Sequence, residues 1–231
     1  MVLLSKIKMR LWQRGLLLCT LLMLLVCGSL PAQEIQYCGP ETNDLYRQLA
    51  AEGFKINRYE TVSQGVREAP RGTHLIVVAP SYPEKRVAIG AADYAQARKR
   101  KLRVFVEYPS VVPGHDLADT THYNKLERGV VLGDFFGDKL SAMSIVGVNG
   151  AHLIPVSAKA PILVMAKVAG FDHAQFGLAN TPYHTLLFQQ DNALVATSSL
   201  STFKTGRFGP SASWKVIWES ILGWLTRDDQ V

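Results

Sequence analysis

Glu107 is the residue best placed to do chemistry. It ends the apolar run Val104-Phe105-Val106 and is followed by Tyr108-Pro109-Ser110. Such a run has the composition of a strand covered on both faces, and Pro109, with no N–H to give a ladder, stops it. A carboxylate at the mouth of a buried strand is desolvated, so its pKa rises and it can serve as a general acid or base. Glycoside hydrolysis would need a second carboxyl across the crevice. Asp172, Asp116 and Asp134 are candidates, without a spacing that singles one out. The structural alternative pairs Glu107 with a cation such as Arg207, or has it accept hydrogen bonds from turn amides.

Other groups carry weaker signals. Cys38 ends the first expected strand beside Gly39, so its thiol can face a crevice. It needs a neighbouring base or a helix N-terminus to become a nucleophile, and is otherwise a half-buried thiol at a strand end. Ser81 and Ser110 also end strands, but neither lies in a Gly-x-Ser-x-Gly elbow, and both suit caps or turns. Asp172-His173 is too small a pair to define a metal site, and no zinc-type spacing occurs. Gly147-Val148-Asn149-Gly150 reads as a hairpin turn, not a phosphate loop. No motif calls for a cofactor.

The elements that must position these residues alternate in the first half of the chain. Strands are expected at 34–38, 54–59, 74–79 and 102–108, and helices from about Thr42, over 61–68, and over 87–100 with Ala88, Ala91, Ala92 and Ala95 facing inward. Gly53 supplies a left-handed helix stop. Segment 111–127 reads as a loop forming a lid or rim. Short strands follow, with Asn149-Gly150 and Asp191-Asn192 as hairpin signals. The chain closes on Trp214, Ile217, Trp218, Ile221, Leu222 and Leu225, one apolar helical stripe that packs on the sheet. The pattern predicts an α/β fold: a flavodoxin-like parallel sheet flanked by helices, with additional antiparallel strands in the second half.

Residues 1–32 read as a signal peptide. Lys6, Lys8, Arg10 and Arg14 form a basic start, 16–26 an apolar core, and Leu30-Pro31-Ala32 a cleavage site before Gln33. A lipid anchor on Cys27 is the alternative, although Leu24-Leu25-Val26 lacks the small residue expected beside it. The apolar run falls short of the ~20 residues of a spanning helix, so no stable membrane span is expected. Removing those four basic residues from the 25 in the chain leaves 21 against 19 acidic ones, which gives no reason to expect nucleic acid. Cys38 then has no disulfide partner. Residues 33–231 suffice for one domain with a full core.

The order of elements resembles the class I glutamine amidotransferase-like superfamily. Thr205-Gly206-Arg207-Phe208-Gly209-Pro210, Trp214-Lys215-Val216-Ile217-Trp218 and Ile221-Leu222-Gly223-Trp224-Leu225 narrow the resemblance to the non-catalytic domains of that type that accompany bacterial carbohydrate-active enzymes. The superfamily's enzymes use a Cys on a strand-to-helix elbow and a later His-x-Glu. Here the elbow holds Glu107-Tyr108-Pro109-Ser110, and none of His74, His115, His122, His152, His173 and His184 has an acid two residues on. The resemblance therefore implies a periplasmic or secreted accessory domain without the Cys-His-Glu triad, binding a carbohydrate or a partner glycosidase. Ligand contacts are expected from Cys38, Ser81, Tyr82, Glu107, Tyr108 and Arg207. The competing expectation is a small glycan-acting hydrolase using Glu107.

Overall fold

The computed structural model describes residues 34–226; the leader, its cleavage site and Cys27 lie outside the described residues. Four strands and three helices alternate first: β1 (Glu34–Cys38), α1 (Asp44–Ala51), β2 (Lys55–Tyr59), α2 (Val62–Glu68), β3 (His74–Val77), α3 (Ala91–Lys99) and β4 (Arg103–Glu107). The sequence sets each boundary locally. Asn43 caps α1 by accepting from the Leu45 N–H at 2.9 Å, and Gly53 turns the chain out at φ 84°, where only glycine is unstrained. Thr61 caps α2 by accepting from the Gln64 N–H.

The second half supplies β5 (His122–Tyr123), β6 (Arg128–Val131), β7 (Ile145–Val146), β8 (His152–Leu153), β9 (Pro161–Ala166), β10 (Tyr183–Gln190), β11 (Ala193–Ala196) and the closing α4 (Ser211–Thr226). Nine strands form one mixed sheet in the order β2-β1-β3-β4-β11-β10-β9-β6-β7, while β5 and β8 pair separately. The first five are mutually parallel. From β11 onward the pairings are antiparallel.

Strand alternation divides the core. Ile35, Tyr37, Ile76, Phe105, Leu194 and Ala196 face α1 and α4. Leu75, Val77, Val104, Val106 and Val195 face α2 and α3. The Trp stripe of α4 docks as expected: Trp214 and Trp218 are buried, and Trp218 meets Phe105 edge-on at 5.2 Å.

Two local expectations are corrected. Helix α3 begins at Ala91, where the Asp93 carboxylate accepts from the Gly90 N–H at 2.9 Å. The preceding Val87–Ile89 is extended and tied to the elbow, with the Val87 N–H donating to Tyr108 O and the Ser110 N–H to Val87 O. Its inward face is Tyr94 and Ala97, whereas Ala88, Ala91, Ala92 and Ala95 are exposed, because alanines offer little apolar area to bury. Asn149-Gly150 is not a hairpin turn, since β7 and β8 belong to different sheets. Asp191-Asn192 does join β10 to β11, with Gln190 opposite Ala193 and Asp191 at φ 52°.

Candidate functional site

At the end of β4 the chain turns sharply. Glu107 points to the α1–α4 side and is completely buried. One carboxylate oxygen accepts from the Leu200 N–H at 2.8 Å and the Ser201 N–H at 2.6 Å. The other accepts from Ser201 Oγ at 2.8 Å, with longer bonds from Ser199 Oγ and the Ala79 N–H at 3.4 Å. Ser201 Oγ in turn accepts from Asn43 Nδ2 at 2.8 Å. Burial pushes the Glu107 carboxyl up to about 7, against the opposing hydrogen bonds from Ser201, Leu200 and Ala79. A second buried acid, Asp44, accepts from the Lys204 and Thr205 N–H groups at 2.8 and 2.7 Å. Two carboxylates thus fasten the segment that follows β11.

Tyr108 occupies the elbow itself at φ 46°, a left-handed conformation costly for a bulky residue. It is buried, its N–H donates to Ala196 O at 2.8 Å, and its hydroxyl donates to Pro83 O at 3.3 Å. Tyr82 packs on it edge-on at 5.0 Å and shares a hydrogen bond with Ser198 Oγ at 2.9 Å. Ser110 Oγ bonds the backbone of Ile89. Glu107, Tyr108, Tyr82 and Ser110 are thus all engaged with protein.

None of the candidate second carboxyls bonds with Glu107. Asp116 lines a shallow pocket with His115 and His184, and Asp134 and Asp172 are exposed. Among the described residues no group of three or more His, Cys, Asp and Glu side chains could hold a metal ion, and no helix is long and apolar enough to cross a membrane.

Two strands away the edge is open. The ends of β1 and β3 flank a cleft of about 440 Å³ that Cys38, Arg58, Thr61, Ser81 and Lys85 help to line. The chain leaves β1 towards β2 on one side and reaches β3 on the other. That reversal is where open α/β sheets leave a crevice for ligands. Gly39 fits there because a Cβ would fall 2.3 Å from Val78 Cγ2. Burial pushes the Cys38 thiol up to about 11, and no described histidine lines the cleft. Arg58 is paired with Glu60 at 2.5 Å and with Glu41 at 3.5 Å.

The six expected contact residues therefore separate. Cys38 and Ser81 share the cleft. Tyr82, Glu107 and Tyr108 form the closed elbow. Arg207 lines a different cavity altogether and is not among the hydrogen-bond partners of Glu107. Sequence reasoning missed Asn43, Asp44, Ser199 and Ser201. The only available signal was the hydroxyl-rich run 197–202 after the last strand, beside a helix-capping Asn-Asp pair. Comparison with known proteins finds no matching family model and no matching curated sequence.

Proposed function

We propose that this chain is an exported accessory domain of amidotransferase-like architecture that binds a carbohydrate or a partner glycosidase and carries out no amidotransferase chemistry. Support for the fold half of this reading comes from the order β2-β1-β3-β4-β11, which is that of flavodoxin-like sheets. The observation that carries the functional half is the closed elbow. Its carboxylate is buried under donors from 199–201, and a tyrosine stands where a nucleophile would be. Ligand is assigned to the Cys38–Ser81 cleft, the open end of the same sheet edge.

The test is turnover and binding on purified protein. Ammonia release from glutamine and hydrolysis of chromogenic glycosides are expected to be absent, while calorimetry against a panel of soluble oligosaccharides detects binding that Ser81→Trp, which fills the cleft, abolishes. Glycoside turnover lost on Glu107→Gln would replace this reading with the hydrolase. Export is tested by mass spectrometry of the periplasmic form, with Gln33 expected as the first residue; a lipid on Cys27 would overturn that part.

A further inference from the structure

On the face of the sheet opposite the Cys38 cleft, α1, α4 and segment 203–208 enclose a cavity of about 520 Å³. Leu45, Leu49, Trp214 and Trp218 are its buried wall residues. Phe203 and Phe208 complete it, packing on Trp218 and Trp214 at 6.2 and 4.9 Å between ring centroids. This size, and a lining that combines aromatic and apolar side chains with Gln48, Glu52, Lys204, Arg207, Lys215 and Glu219, are those of a small-molecule site.

The charges around it are unequal. Lys204 Nζ donates to Gln48 Oε1 at 2.6 Å, and Gln48 Nε2 to Glu52 at 2.6 Å. Lys215 lies 3.8 Å from Glu219. Arg207 is exposed and has no acidic partner among the described residues. Its backbone is held at φ 53° by its N–H donating to Lys204 O at 3.0 Å and by Asn149 Nδ2 donating to its carbonyl at 2.6 Å. This left-handed backbone sets the direction in which the Arg207 side chain leaves the loop. In the wall, the Trp214 indole N–H donates to Gly147 O, whereas the Trp218 indole N–H is buried without an acceptor.

We propose that this cavity binds a small amphipathic carboxylate. Its alkyl or aryl body lies among the leucines and aromatic rings, and its anionic group pairs with the Arg207 guanidinium, whose planar fork suits a carboxylate. The site is separate from the Cys38–Ser81 cleft, so its failure would leave the oligosaccharide reading standing, and the reverse.

Tryptophan fluorescence and calorimetry on the purified protein test it with decanoate as the alkyl probe, 2-naphthoate as the aryl probe and 1-decanol as the uncharged control. Saturable one-to-one binding of either acid, with a change in Trp214 and Trp218 emission, is expected. Arg207→Gln should weaken it by about tenfold without moving the melting temperature. Leu222→Trp, which projects into the cavity from its half-buried side, should abolish it in a folded protein. Decanoate alone binding identifies an alkyl ligand, and naphthoate alone an aryl one. The proposal is overturned if neither acid binds saturably, or if decanol binds as tightly as decanoate and Arg207→Gln changes nothing.

Discussion

The carboxyl ends of β4 and β1 lie along one sheet with only β3 between them, yet one is sealed and the other open. At β4, Glu107 and Tyr108 are buried beneath the segment that follows β11. At β1, Cys38 borders a cleft. Residue type does not explain the contrast, because the sealed end carries the more reactive-looking group. Chain order does: the crossovers diverge between β1 and β3, while β11 returns beside β4 and delivers hydroxyl and amide donors onto the carboxylate. A reactive-looking residue at a strand end thus means little until it is known which segment comes back to cover it.

The largest effect that would test this contrast is Glu107→Ala. It orphans the Leu200 and Ser201 amides and Ser201 Oγ, each loss costing ~1–3 kcal/mol, so urea denaturation should show about 3–4 kcal/mol of destabilisation. Glu107→Gln, which keeps one acceptor oxygen, should cost roughly half as much. A small loss on Glu107→Ala would mean that the segment 199–201 is not held by the carboxylate.

Tyr108 comes next. Tyr108→Ala empties a buried ring site and should cost about 3 kcal/mol. Tyr108→Gly should be milder by about 1 kcal/mol, because glycine accepts the left-handed backbone that alanine resists. The reverse ranking by thermal melting would show that the elbow relaxes when the ring is removed.

The pH dependence of stability is smaller and has two opposing arms. Glu107 sits at about 7 in the fold against an unfolded value near 4.5. Its stabilisation is complete below the unfolded value and is lost as pH rises through 7. His74, at the far end of β3, is pushed down to about 4 by burial. Its contribution is complete above about 6.5 and is lost as pH falls towards 4. Because the two windows overlap, the arms largely cancel; urea midpoints measured from pH 4 to 8 should rise with pH up to about 6.5 in Glu107→Gln, where the His74 arm is left alone, and fall between about 4.5 and 7 in His74→Phe, where the Glu107 arm is left alone.

The smallest effect belongs to the open end. Cys38 alkylation by iodoacetamide should be slow at neutral pH and accelerate up to about pH 11. A bound cleft ligand should suppress it further. Fast labelling at pH 7 would show that the thiol is activated.

The parallel half was legible because Leu75-Ile76-Val77-Val78 and Val104-Phe105-Val106 can be satisfied only by cover on both faces, a local property. The place of β11 was not. Ala193–Ala196 reads as a short strand after a visible hairpin turn, but its second partner, β4, is some ninety positions earlier, and no periodicity reports a pairing at that distance. The same separation hid the fate of Glu107: the residue stands out in sequence, while the donors that occupy it lie at 199–201. Arg207 stood out too, but the closing loop carries it to the α1–α4 cavity and away from Glu107.

The position of β11 also governs how the protein can be made. Among the described residues it is the last strand in sequence but the fifth of nine in the sheet, and the only one that pairs with both β4 and β10. Until it emerges from the ribosome, the parallel and antiparallel blocks have no ladder between them, and each carries an unpaired edge of the kind that recruits other chains. Joining them waits on a contact of large sequence separation, which slows folding. A nascent chain arrested before Ala193 should aggregate or hold chaperone, and one extended past the end of α4 should release it.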